Sequence, residues 1–267
     1  MSDAIFDASW LELREPADHR SRSDALVDIL REEGVARGWR RVLDLGSGTG
    51  SNLRYLEPRL PWVEEWTALD HDPALLQRLT EPVSGRRLTR VQGDLAREGL
   101  ARVGGSDVVT ASALLDLVSA GWLDDLVSAC RDAGAAVLFA LSYDGGIRWE
   151  PPTPEDDRVR EAVNLHQVRD KGLGAALGPA AAFAARDRFR EAGFRTELAP
   201  SPWVLTGLAD AELTLELLEG WVGAATEVRP DARSQLQAWG RRRRKEVGGG
   251  RFRVQVGHQD LLALPPA

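Results

Sequence analysis

Arg41-Val42-Leu43-Asp44-Leu45 runs without a break into Gly46-Ser47-Gly48-Thr49-Gly50. A short apolar run that stops in alternating glycines reads as a strand feeding a tight turn, and the segment from Ser51 to about Pro58 reads as the helix that follows. Glycines at such a junction let the chain turn sharply and let a ligand approach the backbone, while the helix start presents free N–H groups. In a dinucleotide-binding fingerprint the third glycine comes three residues after the second. Here that position is Ser51, and an acidic residue, Asp44, stands two before the first glycine.

Outward from this junction the same alternation continues. Residues 66–70, 88–92, 107–111 and 135–141 read as strands, with helices at 73–79 and 122–133 between them. Five strands alternating with helical segments imply parallel βαβ units with right-handed crossovers. Upstream, residues 7–38 read as helical with a break at Glu15-Pro16, and Ser23 is placed to cap the second part. Downstream, residues 143–178 interrupt the rhythm with Gly145-Gly146, Pro151-Pro152 and Pro154, then a helix over about 155–170. The segment is too long and too structured for a plain connection, which marks it as a candidate lid or substrate segment. A helix at 180–192, a sixth strand within 196–205, helices at 210–225 and 231–246, and a final strand at 251–256 complete the reading. The expected fold is α/β, a doubly wound, seven-stranded, mostly parallel sheet with helical insertions. The expected layout is an N-terminal helical segment, 1–38, and a main domain, 39–267, with inserts at about 143–178 and 210–247.

The chain has 267 residues, 43% of them hydrophobic, with 34 basic and 41 acidic side chains and a formal net charge of −7. This composition supports a packed core and gives no overall attraction to phosphate backbones, which disfavours a nucleic-acid substrate. The basic run 241–245 reads as a solvated helix end as readily as a contact patch. Cys130 is the only cysteine, so neither an intramolecular disulfide nor a cysteine-based metal site can form, and the four histidines are scattered. No stretch of about 18 apolar residues and no secretory leader pattern occurs, so the expectation is a cytoplasmic protein with no membrane partner and no metal.

The glycine junction resembles the first motif of the class I S-adenosylmethionine-dependent methyltransferases, an acidic residue followed by alternating glycines. The likeness extends to Asp70 in Ala68-Leu69-Asp70-His71, to Gly93-Asp94-Leu95 and to Ser112-Ala113-Leu114-Leu115-Asp116. It implies S-adenosylmethionine as cofactor and S-adenosylhomocysteine as product. The cofactor site would be built from Asp44, Gly46, Ser47, Gly48, Gly50, Asn52, Asp70, His71, Asp94, Leu95 and Ser112. In that family the acidic residue after the second strand holds the ribose hydroxyls and the one after the third meets the adenine amine, which places Asp70 and Asp94. A carboxylate is suited to both tasks as a multiple acceptor. Arg20 and Arg22 could close over the cofactor's carboxylate, with ordinary surface arginines as the plainer alternative.

The reaction implied is in-line methyl transfer, for which the protein supplies proximity, alignment and exclusion of water. If the acceptor needs deprotonation, the candidates are Tyr143 and Asp144 after the fifth strand and His166 on the insert helix. For His166 a solvent-facing helix position is the alternative. Trp10, Trp149 and Trp203 lie beside segments expected at the cleft, where an aromatic face could hold a planar acceptor; core packing would explain them equally. The Asp/Asn-Pro-Pro-aromatic motif of enzymes that methylate amines in DNA is absent after the fourth strand, which points to a small-molecule acceptor, methylated at oxygen or nitrogen. Two other readings stay open: an aminopropyl transferase of the same fold and a non-catalytic cofactor-binding partner subunit. Leu213, Leu215, Leu217, Leu218 and Trp221 offer apolar surface for a lid or for a homodimer interface.

Overall fold

The computed structural model describes residues 7–82, 85–172 and 174–266. In chain order the elements are α1 (Ala8–Ser21), α2 (Asp24–Arg37), β1 (Arg41–Leu45), α3 (Ser51–Leu56), β2 (Glu65–Asp70), α4 (Pro73–Gln77) and β3 (Arg87–Gln92). They continue as α5 (Leu100–Val103), β4 (Val108–Ser112), α6 (Ala120–Ala133), β5 (Ala136–Glu150), α7 (Pro154–Gln167), α8 (Ala181–Glu191) and β6 (Arg195–Pro200). The last are β7 (Trp203–Thr206), α9 (Ala211–Val228), α10 (Arg233–Gly248) and β8 (Arg253–Leu264). The sheet order is β3-β2-β1-β4-β5-β8-β6, with β7 also paired to β8. The first five strands are mutually parallel, and β8 runs antiparallel to β5, β6 and β7.

The period-two pattern of the strands gives the sheet two apolar faces. Leu43, Leu45, Val109, Ala111, Val137 and Phe139 pack against α6 and α8 through Leu123, Leu126, Ala185 and Phe189. The alternate positions Val42, Ala68, Val108 and Leu138 pack against α2 and α3 through Leu26, Leu30, Leu53 and Leu56. Asp44 and Thr110 belong to this second face and are buried with it.

Several boundaries differ from the sequence reading. The sheet has eight strands because 195–206 forms two short strands separated at Ser201-Pro202. Pro16 lies inside α1, and the break comes at Arg22, whose extended backbone caps α1 and leads to Ser23 as the N-cap of α2. β5 does not end at Leu141 but continues to Glu150, and β8 reaches Leu264. Gly145-Gly146, which read as a loop, falls within an irregularity of one continuous strand, where the pairing of β5 with β8 shifts between Tyr143 and Ile147. Asp144 fixes it: its Oδ1 accepts from Gly146 N at 3.0 Å and its Oδ2 from Gln259 Nε2 at 3.0 Å. A Cβ at Gly257 would lie 1.9 Å from Asp144 Oδ1, so the strand opposite must be glycine there.

The extended ends of β5 and β8, with β7, carry a second core under α7, α9 and α10. Trp149 meets Trp221 and Trp239 edge-on, each with ring centroids 6.2 Å apart. Arg243, from the basic run, is enclosed here with 0% side-chain exposure and its guanidinium 4.6 Å from the Trp149 ring centroid. Asp156 accepts from Arg243 Nε at 3.2 Å and from Trp239 Nε1 at 2.7 Å. Replacing Asp156 strips the buried guanidinium of two bonds and the Trp239 indole of its acceptor, and leaves the partly exposed Glu246 as the remaining ion-pair partner. Asp156→Ala should therefore lose about 3–5 kcal/mol of unfolding free energy in denaturant titration, and a loss under about 1 kcal/mol would contradict this assignment.

Candidate active site

The carboxyl ends of β1, β2, β3 and β4 converge on a cavity of about 370 Å³. In open α/β sheets this edge is where ligands bind, because strand ends and helix starts leave unpaired backbone groups there. Gly46, Gly48, Asp70, His71, Asp94, Leu95 and Ser112 all line it. Gly48 adopts φ +52°, and a Cβ there would lie 3.0 Å from Leu11 Cδ1. Its N–H donates to Asp70 Oδ2 at 2.8 Å, while Asp70 Oδ1 accepts from Asp72 N at 3.0 Å and lies 3.3 Å from His71 Nδ1. Asp94 caps the turn at Leu95–Gly99 by accepting from Arg97 N at 2.7 Å, and that backbone bond holds its carboxyl below the usual range.

Asp44, Ser47, Gly50 and Asn52 do not line the cavity; they support it from below. Asn52, in the first turn of α3, donates to Asp44 Oδ1 at 2.6 Å and to Thr110 Oγ1 at 3.1 Å, and Thr110 donates to Leu138 O at 2.8 Å. Arg22 donates to Asn52 Oδ1 from the α1–α2 junction. Arg22 is therefore a buried residue of the site's foundation and not a surface arginine, whereas Arg20 lies outside, paired with Asp210. Burial pushes the Asp44 carboxyl up to about 7, against the lowering effect of the Asn52 bond and the Arg22 charge.

The three catalytic candidates stand elsewhere. Tyr143 is buried, and its hydroxyl donates to Asn164 Oδ1 at 2.8 Å. Asp144 braces the irregular part of β5 as described. His166 sits 3.2 Å from Glu227 Oε2, joining α7 to α9, and its pKa is lowered chiefly by burial. None of them lines the cavity: the extension of β5 puts Tyr143 into the second core and Asp144 against β8, and His166 faces α9 from α7. The tryptophans likewise face cores: Trp149 is in the aromatic cluster, Trp203 donates from Nε1 to Asp18 Oδ1 at 3.1 Å, and Trp10 packs against the same core.

Other residues close the cavity instead. Leu11 and Arg14 come from α1, which is tied down by His19 Nε2 to Ser51 O at 3.1 Å and by Arg54 Nε to Glu15 Oε1 at 2.8 Å. Lys171 and Gly172 come from the segment after α7, and Leu114, Leu117 and Val118 from the turn after β4. Asp116 in that turn is buried, and burial pushes its carboxyl up to about 6 despite its own N–H, the Arg14 charge, the Tyr143 N–H and the Lys171 charge. The helical periodicity of 8–21 carried no cue to Leu11 and Arg14, which face the cavity only through the tilt of α1. Lys171 did carry one, being one of two lysines in an arginine-rich chain.

Along this sheet edge stand in order a glycine turn, a carboxylate at the end of the second strand and an acidic turn after the third, where open α/β sheets bind ligands. Residues 42–134 match the family described as "Methyltransferase domain". Among solved structures, a cyclopropane-fatty-acyl-phospholipid synthase-like protein from Lactobacillus casei is 13% identical with a TM-score of 0.55, covering 96% of this chain and 100% of that one. A cyclopropane synthase from Mycobacterium tuberculosis is 12% identical with a TM-score of 0.50, covering 97% and 94%. An O-methyltransferase family protein from Burkholderia thailandensis is 20% identical with a TM-score of 0.45; the match covers 69% of this chain and 54% of that protein's length. At these identities the likeness to the first two is one of fold. No curated protein matches.

The residues present fit the cofactor of that class. Asp44 Oδ2, Ser47 Oγ and Thr49 Oγ1 beside the glycine turn, and Arg22 Nε and Nη2, are buried and have no hydrogen-bond partner among the described residues. Buried polar atoms are normally satisfied, so this cluster beneath the cavity floor is a place for ordered water, while Gly48 and Asp70 in the wall leave a backbone approach and a carboxylate acceptor to the cofactor. Calorimetric titration with S-adenosylhomocysteine should show binding that Gly48→Val abolishes and Asp70→Ala weakens at least about tenfold; wild-type affinity in both variants would remove the site from this cavity. Asp44 supplies a pH test. Its folded-state pKa lies above the unfolded value of 3.8, so between there and about 7 the folded protein holds the extra proton. The contribution of this group to stability therefore falls as pH rises through that window. The stability of Asp44→Asn relative to wild type should accordingly increase between about pH 4 and about pH 7 in denaturant unfolding; an unchanged difference would contradict the shift.

Proposed function

We propose that the protein transfers the methyl group of S-adenosylmethionine to the oxygen or nitrogen of a small organic acceptor in the cytoplasm. The observation that carries this reading is the cavity at the sheet edge, where Gly48, Asp70 and Asp94 stand at the strand ends and Leu11, Arg14 and Lys171 close over them. When bound, the cofactor supplies an electrophilic methyl group on a sulfonium centre. Asp70 is placed to accept from a vicinal diol, and Asp94 lies beside Leu95, whose apolar side chain offers a face for a planar base. Leu11, Leu114 and Leu117 exclude water, and the turn after β4 fixes the distance between donor and acceptor ends.

Three features support a small acceptor over nucleic acid. The cavity is roofed by α1. The chain is acidic overall. Three of the five residues of the basic run are also paired within the chain, Arg243 to Asp156 and Glu246, Arg242 to Glu155 and Arg244 to Glu219. Leu213, Leu218 and Trp221 are buried in the second core, which favours a structural cover for α9 over a homodimer interface.

Incubation with labelled S-adenosylmethionine and a panel of small hydroxyl- and amine-bearing acceptors should yield S-adenosylhomocysteine and a labelled product in equal amounts. Asp70→Ala should lower the rate at subsaturating cofactor at least about tenfold. Transfer from the decarboxylated cofactor alone would instead identify an aminopropyl transferase, and tight cofactor binding without turnover on any acceptor would favour a non-catalytic subunit.

A further inference from the structure

The cavity is charged differently along its wall. Asp70, Asp72 and Asp94 line the part built by β2 and β3, while Arg14 and Lys171 line the part closed by α1 and the segment after α7. The two cations are not equivalent. Arg14 is committed, donating from Nε and Nη2 to Asp18 at 2.9 and 3.2 Å with its guanidinium 5.2 Å from the Trp203 ring centroid. Lys171 makes no hydrogen bond or ion pair among the described residues, although it lines the cavity.

Its charged surroundings are Glu227, Arg169 and Asp116. Glu227 is engaged by His166 Nε2 at 3.2 Å and by Arg169 Nη1 at 3.3 Å. Asp116 is buried and is not part of the cavity wall. The backbone around Lys171 is held in place: Asp170 Oδ1 accepts from Gly172 N at 2.7 Å and from Gly174 N at 3.1 Å, and Leu177 N donates to Val118 O at 2.8 Å. The segment is thereby sewn to the turn after β4, and the lysine is held at the cavity. A half-buried ammonium without a partner is unfavourable, and burial accordingly lowers its pKa. An anionic oxygen entering the cavity would satisfy it through a charge-assisted hydrogen bond, stronger here than at an open surface. A cationic acceptor would be repelled, and a neutral one would leave the ammonium unpaired.

We propose that Lys171 reads an anionic oxygen on the methyl acceptor, so that the substrate class is a small acid bearing a carboxylate near its nucleophile. The class of substrate rests on the methyltransferase reading; the anion subsite itself does not. Because the chain has two lysines, Lys171 and Lys245, reductive ¹³C-methylation gives side-chain signals that Lys171→Arg and Lys245→Arg assign. Benzoate, benzamide and benzylamine, matched in shape, are titrated against the protein with S-adenosylhomocysteine present. Benzoate should move the Lys171 signal saturably and leave Lys245 in place, with benzamide at least about tenfold weaker. In calorimetry on unmodified protein, Lys171→Met should abolish the preference for benzoate and Lys171→Arg should keep it, both variants unfolding as cooperatively as wild type.

No saturable response to benzoate, an equal response of both lysines, or a preference that survives Lys171→Met overturns the inference. Tighter binding of benzylamine also overturns it and would assign the subsite to an ammonium read by the carboxylates that line the cavity. Failure of S-adenosylhomocysteine to bind would instead overturn the cofactor reading, and the benzoate titration repeated without it would still decide the anion subsite.

Discussion

Asp44, at the end of β1, has 1% of its surface exposed and takes its hydrogen bond from Asn52, which in turn accepts from Arg22. This chain of buried polar groups ties the first strand, the first turn of α3 and the junction of the two N-terminal helices into one unit. Removing a charge from water is costly, so such a group persists only where the surrounding structure holds its partners in place. The glycine turn lies directly above, and its shape follows from what anchors it. The same anchoring fixes where α1 leaves the body of the domain, and hence how Leu11 and Arg14 come to roof the cavity.

Asp260 extends the arrangement across the sheet. Its Oδ1 accepts from Leu141 N at 2.8 Å and its Oδ2 from Ser23 N at 2.9 Å, joining β5, β8 and the start of α2. Beyond this point β5 and β8 keep pairing past the parallel body of the sheet and carry the second core. The arginine-rich helix α10 belongs to that core through Arg243, which turns an apparent contact patch into internal support. The acceptor end of the cavity is therefore built by segments from both cores: the turn after β4, helix α1 and the loop after α7.

The charge pattern of the cavity follows from this division. Strand ends of the parallel sheet supply carboxylates to the cavity wall, and the added segments supply cations. Asp116 lies where the two meet, its carboxyl held up to about 6 by burial.

Local sequence determined the parallel half of the fold and the floor of the cofactor site. The run 41–50, Asp70 and Asp94 each sit at a strand end, where the next turn is fixed by residues close in sequence, so their order and spacing suffice to place them together. The same locality left the course of β5 past Leu141, and with it the surroundings of Tyr143 and Asp144, undetermined by nearby residues. Whether a strand stops at Leu141 or runs to Glu150 depends on pairing with β8, more than a hundred residues away, and a one-residue change of register reverses the face to which a side chain points. Leu11 and Arg14 reach the cavity through the docking of α1 on α3 and β7, and Lys171 through backbone bonds to Val118 and Ser119, contacts that no window of sequence contains. The cofactor end was legible because strand-end geometry is local; the acceptor end was decided by tertiary packing, because non-local backbone pairing sets which side chains face the cavity.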